Sequence, residues 1–138
     1  MKATRRNARE WAIQMLTAAD LNPTDDVPAM MAEFWNNMVD SKPSAGLRAF
    51  TEERVAGVLA SLQELDGVLG PLLENWDLYR LGTVERAVLR MGVWELKNTD
   101  VPKAVCINEA IDLANWFSSP KSRTLVNGVL DKYAKMKG

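Results

Sequence analysis

The sequence contains no histidine and a single cysteine, Cys106, among its 138 residues. The first absence removes the commonest general base and the commonest transition-metal ligand. The second excludes an internal disulfide and, with the first, a zinc site. Cys106 lies in an apolar run, the setting of an inert buried thiol, which fits a reducing compartment. No window reaches the roughly 18 consecutive apolar residues of a membrane span, and the basic N-terminus lacks the apolar segment of a signal peptide. There is no phosphate-cradling glycine loop, no G-x-S-x-G elbow and no carboxylate pair placed for acid–base work. Together these absences predict a cytoplasmic protein that is not an enzyme, with no catalytic residue, no metal and no cofactor.

What is present suits one globular domain over residues 1–138. Hydrophobic residues make up 47% and charged residues 25%, an ordinary balance for a self-folding chain. The net charge of −1 conceals an uneven distribution. Residues 1–19 carry Lys2, Arg5, Arg6 and Arg9 against Glu10 alone, and residues 119–138 carry Lys121, Arg123, Lys132, Lys135 and Lys137 against Asp131 alone. Residues 20–78 hold three basic and eleven acidic groups. Both ends are basic and the middle is acidic, so the net charge argues against nucleic-acid binding only until the charges are located along the chain.

Apolar spacing predicts an all-α fold of about seven helices in two packed subdomains, about 1–70 and 71–138. Thr4 is an N-cap for a first helix to about Ala19, with Ala8, Trp11, Ala12, Met15, Leu16 and Ala19 on one face. Pro28 opens a second helix ending near Asp40, and Ser41 to Gly46 reads as a loop. A long third helix is expected to about Asp66. Gly67, Gly70 and Pro71 then interrupt the pattern, leaving short turns up to Gly82 and a seam between the halves. Thr83 caps a helix from Val84 to Lys97 that is apolar nearly all round and therefore central. The next helix starts at Pro102 or at Asn108 and ends near Phe117. Ser119-Pro120 starts the last one. Gly92 and Gly128 lie inside helical patterns, where glycine costs roughly 1 kcal/mol against alanine, so both are expected at close helix–helix approaches. Trp116 is expected to be buried or half-buried, with a base-stacking platform as the alternative.

Arg5, Arg6 and Arg9 fall within about 100° on a helical wheel, beside the apolar stripe, so they can reach a common ligand. One reading is a solvated face with an Arg6–Glu10 pair. The other is a polyanion site, because cations in a first turn oppose the helix dipole by up to about 1 kcal/mol each. Arginine pairs bidentately with phosphate and stacks on bases, which favours RNA.

Three stretches resemble the NusB family of bacterial antitermination factors. They are Arg5-Arg6-Asn7-Ala8-Arg9-Glu10 with Ala12, Gln14 and Leu16; Arg80-Leu81 through Val84-Glu85-Arg86-Ala87-Val88-Leu89-Arg90 to Trp94-Glu95-Leu96; and Ile107-Asn108-Glu109-Ala110-Ile111-Asp112-Leu113-Ala114 with Val126-Asn127-Gly128-Val129-Leu130-Asp131. The resemblance implies a protein that pairs with the small-subunit ribosomal protein NusE. The pair would bind single-stranded boxA-like RNA during transcription of ribosomal RNA operons and reach the RNA polymerase elongation complex indirectly. By position, it implies RNA contacts at Lys2, Arg5, Arg6, Arg9, Lys121 and Arg123, and partner contacts at Glu85 and Thr17. For Glu85 the alternative is a helix-start residue that complements the dipole. The chain departs from the family at Thr17, Leu72 and Leu125, where aromatic residues are frequent. Leucine does not stack on a base, and stacking is worth roughly 1–3 kcal/mol per base. Two other functions stay open: a protein-interaction module that forms a homodimer masking its basic helix, and an RNA-binding unit of a ribosomal RNA methyltransferase. The latter would be followed by a nucleotide-binding catalytic domain, which the sequence up to Gly138 does not contain.

Overall fold

A computed structural model describes residues 2–38, 43–74 and 77–137. Among these, seven α-helices and one 3-10 turn account for the regular structure: α1 (Arg5–Leu21), α2 (Val27–Asn36), α3 (Ala45–Ala60), α4 (Leu62–Leu72), the turn Leu78–Arg80, α5 (Thr83–Asn98), α6 (Lys103–Phe117) and α7 (Pro120–Lys137). None is long and apolar enough to cross a membrane.

Local chemistry explains most boundaries. Thr4 caps α1 in a reciprocal box with Asn7, as its residue type predicts. Asp26 accepts from the Ala29 amide to start α2, with Pro28 in the first turn. That helix closes at Asn36, and Asp40, its expected end, lies outside the described residues. Ser44 caps α3 through the Leu47 amide. Of the two candidate starts for α6, the chain uses Pro102 as N-cap. Thr83 is the first residue of α5 and Gly82 is the cap, one position earlier than expected.

The expected long third helix is two helices. Ser61 (φ −120°, ψ 17°) separates α3 from α4, with its N–H turned to the Val58 carbonyl. α4 then runs through Gly67, Gly70 and Pro71 instead of stopping there. The glycines face open space, while Leu65, Leu69 and Leu72 are buried. Burying a leucine is worth about 1.5–3 kcal/mol, which outweighs about 1 kcal/mol per helical glycine. Pro71, in the last turn, costs the ladder one hydrogen bond, the one its absent N–H would donate to the Gly67 carbonyl.

α5 is central, packing on α1, α3, α4, α6 and α7, and every residue from Arg86 to Leu96 is buried. One hydrophobic cluster extends from Ala12 and Leu16 on α1 through Val88 and Leu89 on α5 to Val126 and Leu130 on α7. Two glycines permit close contacts with α5. A Cβ on Gly92 would come within 2.7 Å of Leu130 Cδ1, and Gly57 lies directly beneath the Trp94 ring. Gly128 does not follow the expected pattern: it faces open space. The α2 end of the core is aromatic, with Trp35 edge-on to Trp11 at 5.7 Å and to Phe34 at 5.4 Å.

Candidate nucleic-acid interface

The three arginines at the start of α1 have different environments. Arg5 is exposed, its guanidinium 5.4 Å from the centre of the Phe50 ring on α3. Arg6 is half exposed and reaches across to α6, donating to Glu109 Oε2 at 2.9 Å and to Asp112 Oδ2 at 2.6 Å. The hydrogen bond that Arg6 donates to Glu109 raises its pKa, against a smaller opposing effect of burial. Arg9 is only 3% exposed. Its Nε and terminal nitrogen donate to Glu95 Oε1 and Oε2 at 3.0 and 2.9 Å, and Arg54 donates to the same carboxylate at 3.0 Å.

The expectation that Arg5, Arg6 and Arg9 address one common ligand therefore does not hold for Arg9. Its position beside the apolar stripe brings it under α3 and onto α5, where Glu95 offers the planar, two-pronged match that a buried guanidinium requires. Sequence reasoning missed Glu95, Arg54, Arg86 and Arg90 as buried charges. Arg90 holds Asp66 through Nε at 2.8 Å, and Arg86 holds Asp20 at 2.9 Å. For the three on α5 the available signal was the presence of charged residues inside an otherwise apolar helix; Arg54, on α3, carried no such signal.

Lys121 and Arg123 are exposed in the first turn of α7. Arg123 lines a shallow hollow with Ile111 of α6, while Arg6 lies against Asp112 of the same helix. The basic groups of α1 and α7 thus flank α6. Lys2 is exposed just before α1. Glu85 folds back toward Gly82 at the start of α5 and accepts from Ser118 Oγ at 3.0 Å, tying that helix to the α6–α7 link. Thr17 is half-buried, and its hydroxyl finds no hydrogen-bond partner among the described residues. Of the departures from the aromatic pattern, Leu72 is buried and Leu125 half-buried.

Trp116 reverses its expectation: it is 77% exposed. Trp11, Trp35 and Trp94 take the packing roles, leaving Trp116 on the outer side of α6, where it lines a pocket with Arg6 and Glu10.

Fold and surface define an all-helical protein with exposed cations at the starts of its first and last helices. The NusB family model matches residues 6–135. A transcription antitermination protein NusB of Sorangium cellulosum is 39% identical, with 97% of this chain and 94% of the relative covered. A solved NusB of T. maritima superposes with a TM-score of 0.86 at 30% identity, covering 98% and 93% of the two chains. A solved complex of antitermination factors NusB and NusE with dsRNA gives 0.80 at 25% identity, covering 96% of each chain. The chain belongs to the NusB family.

Proposed function

We propose that this chain, a transcription antitermination factor of the NusB family, binds single-stranded boxA-like RNA through Lys2, Arg5 and Arg6 at the start of α1 and Lys121 and Arg123 at the start of α7. In this reading Arg9 supports the surface from beneath and does not contact RNA. Glu85 and Thr17 lie on the face that receives NusE, and the elongating polymerase is reached through these ligands. The protein works as one domain of two helical halves, in the cytoplasm and without catalysis.

The observation that carries the proposal is the exposure of Arg5 and Arg6 in a first helical turn. There the dipole opposes cations, a conflict expected where function sets the residue. The related complex of NusB and NusE with dsRNA supports RNA and NusE as ligands. A single strand fits this surface better, because unpaired bases can use the exposed Trp116 face, whereas duplex RNA is read mainly by shape.

The test is fluorescence anisotropy of labelled boxA-like, scrambled and duplex RNAs, with and without NusE. Tightest binding is expected for the boxA-like single strand with NusE present, weakened at least about tenfold when Arg5 and Arg6 are both alanine, since charge-assisted contacts are worth about 1.5–3 kcal/mol each. Equal binding of all three RNAs in both conditions would leave a nonspecific polyanion binder. Sedimentation at several concentrations, with and without RNA, tests whether a homodimer masks the same helix.

A further inference from the structure

Between α1 and α6 lies a pocket of about 330 Å³ lined by Arg6, Glu10, Asp112, Leu113, Asn115 and Trp116. Its chemistry is not that of a phosphate site. Arg6, its one cation, is already matched to Glu109 and Asp112. Glu10 is held among the described residues by one long contact, Oε1 accepting from Asn7 Nδ2 at 3.3 Å. The unmatched charge is therefore negative and repels phosphate. What the pocket offers is a flat, exposed indole, an accepting carboxylate and the Asn115 amide.

We propose that this pocket is a guanine subsite, in which one unpaired guanine of the bound RNA stacks on Trp116 and donates its N1–H and N2–H to the Glu10 carboxylate. The inference rests on the RNA-binding reading above and adds base specificity to it. Among the four RNA bases, only guanine presents two adjacent N–H donors on its pairing edge, the pattern a carboxylate accepts two-pronged. Its O6 is left to a donor, which the Asn115 amide supplies. Arg6, fixed by its two carboxylates, closes the pocket on the side where the RNA backbone meets α1.

The experiment uses fluorescein-labelled single-stranded 12-mers of uridine with one central guanosine, inosine or adenosine. Anisotropy is read with and without NusE, and NusE binding is measured separately. Inosine lacks the N2 amino group and is expected to bind about tenfold more weakly than guanosine, within the range of a good bidentate base contact. Trp116→Ala should bring all three RNAs to the same weak affinity, and Trp116→Phe should restore most of the difference. Glu10→Gln, with one donor and one acceptor, should move the preference toward adenosine. If the wild-type chain binds all three equally and Trp116→Ala changes nothing, the guanine subsite is overturned while RNA binding stands. If no RNA binds in either condition, both readings fall. If Trp116→Ala weakens NusE binding and leaves RNA affinity unchanged, the pocket is a protein contact and the proposal is wrong.

Discussion

Arg9 on α1 and Glu95 on α5 meet through two parallel hydrogen bonds, 3.0 and 2.9 Å long, with both side chains nearly sealed from solvent. Arg9→Ala removes both bonds but leaves Glu95 its Arg54 partner, so unfolding free energy is expected to fall by about 1.5–3 kcal/mol, the worth of hydrogen bonds to a charged group. Glu95→Ala should cost more, about 3–5 kcal/mol, because it leaves the buried Arg9 without a carboxylate among the described residues and takes one of Arg54's two, Glu53 being the other. Urea denaturation measures both. A loss below about 1 kcal/mol for either would mean that the pair is not sealed in solution.

Because Arg9 is internal, the three first-helix arginines should separate in their response to salt. With about four cations each contributing about 0.7, the slope of log affinity against log salt is expected near −3 for single-stranded RNA. Arg5→Ala should flatten it by about 0.7. Arg6→Ala should flatten it less, since Glu109 and Asp112 already neutralise that guanidinium. Arg9→Ala, assayed where the variant stays folded, should leave the slope unchanged. Equal flattening by Arg5→Ala and Arg9→Ala would show that Arg9 reaches RNA.

Gly92 and Gly128 give a paired stability test. Gly92→Ala forces a methyl against Leu130, which is fully buried, and overpacking of this kind costs about 1–3 kcal/mol. Gly128→Ala enters open space and should stabilise α7 by about 0.5–1 kcal/mol through propensity. Thermal melts of the two variants should therefore shift in opposite directions.

Burial, reinforced by the nearby Glu95 carboxylate, pushes the Cys106 thiol up from 9.0 to about 11. A group that stays protonated longer in the folded state stabilises it below the unfolded pKa and loses that contribution as pH rises through the folded one. Stability should decline between about pH 9 and 11, and Cys106→Ser should reduce that alkaline slope. Thiol labelling at pH 8 should proceed only at the rate of unfolding.

The helices were legible because their determinants are local. Thr4, Asp26 and Ser44 cap from their own sequence neighbourhood, and apolar spacing on α1 and α5 needs no knowledge of the partner. What failed depended on distance. Arg9 looks like Arg5 on a wheel until Glu95, 86 residues away, turns it inward. Trp116 looks like a core residue until Trp11, Trp35 and Trp94 are seen in the core positions. Gly92 and Gly128 share a pattern, and only the Leu130 side chain distinguishes them. The break at Ser61 carries neither glycine nor proline, and α4 continues through both because its leucines are buried.

With RNA captured at α1 as proposed, the capped first turn of that helix would also link binding to local order. Arg5 and Arg6 occupy the end of the helix that prefers anions, so in the free protein the turn is held by the Thr4–Asn7 box against its own charges. A phosphate seated there reverses that opposition and accepts hydrogen bonds from the same end. Order at the helix start and RNA occupancy then reinforce each other. The amides of residues 5–8 should exchange with deuterium more slowly when RNA is bound, making the fraying of a single turn a reporter of ligand capture.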